Sequence, residues 1–202
     1  MEIWALVEKR LLDDGERDAA DALSTGIDGY LRTAEIFGLR GEDISITGAG
    51  TSEMIVSLRL GVPERGESTN TGIRQGVIID WPCVADMLAR RRSSIKGSDK
   101  VFGISVDRYR RTIARASVRL GLADLGPAHS VRHSGPSHDA ATAYRTIWQI
   151  QRRGRWASEK SVMRYAKTHT LNEARSRFKQ QGLDAGLELL SLRLPRPEKA
   201  RE

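Results

Sequence analysis

The chain has 202 residues, of which 39% are apolar and 29% charged, and a formal net charge of +7. That balance excludes a disordered chain apart from the final "RPEKARE", and no apolar run approaches the roughly 20 residues of a membrane-spanning helix. A single cysteine, Cys83, excludes an internal disulfide and a multi-cysteine zinc site, which places the chain inside the cell, in cytoplasm or nucleus, and the basic excess favours a polyanionic partner.

Apolar residues Ile3, Leu6, Val7 and Leu11 form a helical stripe over residues 2–12. After "STG" a second stripe runs through Tyr30, Leu31, Ala34, Ile36 and Phe37 and ends near Gly38 to Gly41. Three segments of strand character follow, "DISITG", "MIVSLRLG" and "QGVIID", separated by turns rich in glycine and threonine, which predicts a small antiparallel sheet. "DWPCVADMLARRR" then reads as a helix with Pro82 in its first turn, where a missing N–H costs little. "SVDRYRRTIARASVRLG" is another, capped by Ser105, with Tyr109, Ile113, Ala116 and Leu120 facing inward. Further helices are expected over 129–142, 144–152 and 158–166. "TLNEA" at Thr170 has the pattern of a capping box, and "LDAGLELLSLRL" suits a last helix that packs on this domain or on a neighbour. The fold class expected is α+β, mainly helical, with one three-stranded antiparallel sheet.

The chemistry gathers late in the chain. In "HSVRHSG", His129 and Arg132 stand three apart, so on a helix an imidazole and a guanidinium share a face and could grip one anion. In "GRWASEKSVMRYAKTH", Trp156 precedes Tyr165 among many cations. Far upstream, Arg32 stands three before Glu35 in "YLRTAEIFGLRGEDI". Taken alone, Tyr165 reads as a core tyrosine and Trp156 as core packing, and Arg32 as an ion-pair partner of Glu35. His129 and His133, one helical turn apart, with His138 beyond, admit a metal reading, opposed by the positive charge of Arg132 between them.

Together these blocks resemble the tyrosine recombinases, the phage-integrase family. "LRTAEIFGLRGEDI" is similar to the first arginine block, "HSVRHS" to the H-x-x-R block, and "GRWASEKSVMRYA" to the last block in its tryptophan form, which resembles recombinases of eukaryotic mobile elements. The likeness covers roughly residues 20–180. It implies a catalytic domain over 1–182, a C-terminal helix and disordered tail over 183–202, and no N-terminal core-binding domain. It implies DNA strand cleavage and rejoining through a 3′-phosphotyrosine on Tyr165, with Arg32, Arg132, His129 and Trp156 around the phosphate. Glu35 and His133 are expected to support the site, and Arg152, Arg153, Arg155 and Lys160 to contact DNA. Neither metal nor cofactor is implied. The partners implied are double-stranded DNA and further copies of the chain on it, with no membrane.

The residues suit that chemistry. Two guanidiniums match phosphate oxygens and stay charged, an indole N–H donates without accepting, and a phenol with a resting pKa near 10 must lose its proton to attack. His129 is the expected proton handler. One departure stands out. Where the family carries a lysine that protonates the leaving oxygen, in the turn "ESTNTGIRQG", this chain has Asn70, flanked by Arg65 and Arg74. Either Lys96 or Lys100 reaches in from elsewhere, or cleavage is slow. Three other activities stay open: relaxation of the type IB topoisomerase kind, a non-catalytic DNA-binding remnant, and a histidine-metal hydrolase.

Overall fold

A computed structural model describes residues 1–51, 53–62, 65, 66, 75–122, 131–163 and 180–191. Helix α1 (Glu2–Asp13) and helix α2 (Arg17–Asp28) form the centre of the core, burying Ile3, Trp4, Val7 and Leu11 from the first and Ala19, Ala20, Ala22, Leu23 and Ile27 from the second. The stripe expected through Tyr30 to Phe37 is not one continuous helix. The chain is helical before it, in α2, then breaks at Gly29–Leu31, where Tyr30 has φ +51°, and resumes only as the short α3 (Thr33–Gly38).

The residues "STG" lie inside α2 rather than ahead of a helix, and their side chains explain why. Ser24 and Thr25 donate their hydroxyls back to the Ala20 and Asp21 carbonyls, at 3.1 and 2.7 Å. Gly26 leaves room for Ile36, whose Cδ1 would lie 2.6 Å from any Cβ added there. Hydroxyls satisfied within their own helix turn two helix-weakening residues into tolerated ones.

Past a 3-10 turn at Gly41–Asp43 come β1 (Ile44–Thr47), β2 (Ile55–Leu60) and β3 (Gln75–Ile78), an antiparallel sheet in the order β1-β2-β3. Its register pairs Ile44 with Leu58 and Leu58 with Val77, so alternate side chains enter the core, while Ile55 and Ile78 face outward. Asp43, fully buried, accepts from Arg59 Nε at 3.1 Å and from Arg65 Nη2 at 2.7 Å, which ties the entry of β1 to the chain leaving β2.

Helix α4 (Pro82–Ser94) begins with its proline at the first position. Helix α5 (Val106–Arg119) begins with Ser105 Oγ accepting the Arg108 N–H, as expected, and buries Tyr109, Ile113 and Ala116. The later helices are α6 (Val131–Ala141), α7 (Ile147–Gly154), α8 (Glu159–Met163) and α9 (Gln180–Ser191). Helix α9 lies against α1 of the same chain, where Gly186 sits so close that an added Cβ would be 2.7 Å from the Glu2 carbonyl oxygen. The α+β, mainly helical class with one small antiparallel sheet is thus borne out. Among the described residues no helix is long and apolar enough to cross a membrane. Asn70, Arg74, His129, Tyr165 and Thr170 fall outside the described residues.

Candidate active site

Three distant parts of the chain meet at one carboxylate. Glu35, the third residue of α3, turns back to the start of its own helix and accepts the Arg32 backbone N–H at 2.6 Å, as in one half of a capping box. The same carboxylate takes Arg32 Nη1 at 2.7 Å, Arg132 Nη1 at 3.3 Å and Arg155 Nη2 at 2.8 Å. Arg132 comes from the first turn of α6 and Arg155 from the residue that ends α7. Thus three guanidiniums share one acid. Arg132 and Arg155 are almost sealed, at 3% and 4% exposed, while Arg32 is 25% exposed and presents the open side of the cluster. Burial pushes the Arg155 guanidinium down from its ordinary value, and Glu35 opposes that.

The "GRW" sequence builds its share of the site through backbone shape. Arg155 takes the left-handed conformation, with φ +56° and ψ +42°, and caps α7 through its N–H to the Arg152 carbonyl at 3.1 Å. That reversal folds Trp156 back over the helix end. Gly154 is required there, because a Cβ at this position would overlap the indole ring. The Gly154 carbonyl, left open by the turn, accepts Arg132 Nη2 at 2.6 Å, and the Arg132 guanidinium lies 5.1 Å from the centre of the Trp156 ring. Glycine, arginine and tryptophan therefore each hold Arg132 or its neighbours in a different way.

Beneath this cluster lies a second one that sequence reasoning did not single out. Tyr30, 1% exposed, donates its hydroxyl to Asp139 in α6. Asp139 also takes Arg145, which bridges to Asp80; Asp80 is 2.9 Å from Arg153 Nη2. Arg153 in turn donates to the Asp28 carboxylate at 2.8 Å and to the Asp28 carbonyl at 2.7 Å. Burial pushes the Asp28 carboxyl up to about 6; Arg153 opposes the shift and Asp80 adds to it. The Arg145 guanidinium is pushed up: burial lowers it, but Asp139 and Asp80 outweigh that.

Of the residues expected at the site, Arg32, Glu35, Arg132 and Trp156 are brought together. Arg153 and Arg155, expected to face DNA, turn inward instead, the first to Asp28 and Asp80 and the second to Glu35. The physical reason is the left-handed turn: it swings residue 155 off the helix surface on which an arginine run would otherwise lie. Arg152 remains exposed, with its guanidinium 4.7 Å from the Trp148 ring centre, and Lys160 is exposed in α8. His133 is half-buried in α6, and burial lowers the pKa of His138 one turn and a half further on. Lys100, weighed as a replacement acid, donates its ammonium to the Phe37 and Gly38 carbonyls at 2.8 and 3.4 Å, at the end of α3 opposite Arg32.

The chain has four tyrosines, and geometry sorts three of them. Tyr30 and Tyr109 are buried, and burial raises both hydroxyls well above the ordinary phenol value; for Tyr30 the charge of Asp139 adds to the effect. Neither can present a phenolate to an outside reactant. Tyr144 is 46% exposed, beneath the Arg145 guanidinium.

No family model matches the sequence, and no curated protein is similar to it. Solved structures are. The chain is similar to the XerH site-specific recombinase bound to palindromic difH substrate in a post-cleavage complex, with a TM-score of 0.61 and 13% identity over 87% of this chain and 50% of that one. It is similar also to XerH bound to difH in a pre-cleavage complex, with a TM-score of 0.59 and 13% identity over 88% and 51%. This chain spans about half the length of those recombinases. The fold is that of a tyrosine-recombinase catalytic domain, as the sequence blocks led one to expect.

Proposed function

We propose that this chain cuts and rejoins duplex DNA by the tyrosine-recombinase reaction, with Tyr165 as nucleophile. The observation that carries the reading is the convergence of Arg32, Arg132 and Arg155 on the single carboxylate of Glu35, roofed by Trp156. Among the described residues three cations gather around one carboxylate in a partly dry site, an arrangement that a further anion favours. A phosphodiester suits this excess of positive charge, because its nonbridging oxygens match guanidinium forks and gain negative charge as it is attacked.

The roles follow. Arg32 and Arg132 stabilise the charge that builds on the phosphorus oxygens, and Glu35 holds both in place. Trp156 adds a donor and shields Arg132 from water, which strengthens its field. Tyr165 Oη attacks phosphorus, the bond to the 5′-oxygen breaks, and His129 handles protons near the attacking group. A strand's 5′-hydroxyl reverses the step, so the bond energy is kept in the phosphotyrosine. The burial of Tyr30 and Tyr109 supports this choice of nucleophile, since both are removed from contention. The exposed Arg152 and Lys160, close in sequence to Arg155 and Trp156, suit backbone phosphates. The XerH neighbours, which are bound to a difH substrate, support DNA as the partner; further copies of the chain on that DNA belong to the same proposal. A role in integration by a mobile element belongs to the same reading.

The test is incubation with a nicked suicide duplex. Wild type yields a covalent protein–DNA adduct, Tyr144→Phe yields the same adduct, and Tyr165→Phe yields none. An adduct that survives Tyr165→Phe refutes the assignment. A second reading, a DNA-binding remnant with weak or no cleavage, is favoured by Asn70 in the usual lysine position and by the tether on Lys100. It predicts salt-dependent duplex binding without an adduct, and a gain of adduct in Asn70→Lys.

A further inference from the structure

We infer that Tyr30, held by Asp139, is a positioning residue that sets Arg32 and Trp156 for the reaction; the inference rests on the function proposed above.

Four observations meet at this side chain. Its backbone stands in the left-handed region, φ +51°, a conformation that a bulky L-residue seldom adopts. Such strain persists where surrounding contacts over-determine it, and it concentrates at functional sites. Its ring is closed in on three sides: the Arg153 guanidinium lies 5.3 Å from the ring centre, the Trp156 ring 6.3 Å away, and Gly135 of α6 so near that an added Cβ would be 2.5 Å from Cε1. Its carbonyl accepts Arg155 Nη2 at 3.3 Å, so one residue contacts both Arg155 and Trp156. Its hydroxyl donates to Asp139 Oδ2, the oxygen that also accepts Arg145 Nη1.

The consequence is mechanical. Arg32 follows Tyr30 by two residues, so the unusual backbone angle at Tyr30 aims the start of α3 and the Arg32 guanidinium with it. The ring sets the tilt of Trp156, which in turn lies over Arg132. The hydroxyl's bond to Asp139 is a polar anchor that fixes the ring within this packing. Tyr30 touches no reacting atom; it acts through Arg32 and Trp156.

The experiment uses the full chain with Tyr30→Phe, Asp139→Asn and the double variant. Two readouts are followed: adduct formation on the suicide duplex, and the fluorine NMR line of Trp156 in fluorotryptophan-labelled protein, assigned with Trp156→Phe. Tyr30→Phe keeps the ring and the fold, so it is expected to bind duplex within about twofold of wild type while forming adduct about tenfold to a hundredfold more slowly. The Trp156 line shifts in both single variants, and the double variant is no worse than the weaker single, since both remove one link. Wild-type adduct rates together with an unmoved Trp156 line overturn the inference while leaving the proposed function standing. If wild type itself forms no adduct, the proposed function fails, and the Trp156 line still decides: unmoved, it overturns the positioning role; moved alike by both variants, it supports it.

Discussion

Two arginine–carboxylate clusters lie back to back in this molecule, joined by Tyr30, and their charge balance is opposite. Around Glu35, among the described residues, three guanidiniums share one acid. Around Asp28, Asp80 and Asp139, three acids share the two guanidiniums of Arg145 and Arg153. In the acid-rich cluster the Asp28 carboxylate also accepts the backbone N–H groups of Asp80 and Trp81 at 3.1 and 2.9 Å, which joins α2 to the start of α4. It is a brace. The arginine-rich cluster ends in Arg32, whose side chain is 25% exposed, and under the proposed function that is the side a phosphate would approach. The difference teaches that a count of arginines says little; the ratio of acids to arginines, and which arginine water reaches, tells the two clusters apart.

The largest expected effect breaks the arginine-rich side. Glu35→Gln leaves three guanidiniums around a neutral amide and should lower stability by about 3–5 kcal/mol, read by urea unfolding. Inorganic sulfate should restore more stability to Glu35→Gln than to Asp80→Asn, because only the former creates an uncompensated positive pocket. Equal rescue of the two would erase the distinction between the clusters.

Next in size is Gly154→Ala. Its Cβ must displace the Trp156 ring, a cost of about 1–3 kcal/mol by comparison with overpacked cores. Adduct formation should fall with it, since Arg132 loses both the indole above it and the geometry of the Gly154 carbonyl. A melting temperature and an adduct rate equal to wild type would show that the indole has another seat.

The smallest effect sharpens the acid-rich side. The folded pKa of Asp28, about 6, exceeds the ordinary carboxyl value of about 3.9. Between those two values the folded chain therefore binds more protons than the unfolded one, so this group's contribution to stability falls as pH rises from about 4 to about 6. Asp28→Asn should remove that slope, as seen in thermal melts across the window. An unchanged slope would place the titration elsewhere.

These contrasts were only partly legible in the sequence. The sheet and helices α1, α4 and α5 announce themselves by period and caps, and Arg32, Glu35, Arg132 and Trp156 by their blocks. Helix α2 does not, because its buried stripe is mostly alanine and its "STG" resembles a turn until the hydroxyls are seen bonding to their own helix. Arg155 reads as one more surface arginine, since its inward swing depends on a left-handed turn that only the packing of Trp156 on Gly154 reveals. The acid-rich cluster draws on Asp28, Asp80, Asp139, Arg145 and Arg153, which are too scattered along the chain for any spacing rule to gather.

The central claim is that the cluster around Glu35 neutralises a phosphate. It is tested most directly by adduct formation in Arg32→Ala on two suicide duplexes, one natural and one with an uncharged methylphosphonate at the cleaved linkage. With no charge to offset, the variant should recover most of its lost rate on the neutral linkage. An Arg32→Ala protein as impaired on the neutral linkage as on the natural one, relative to wild type, would contradict the account.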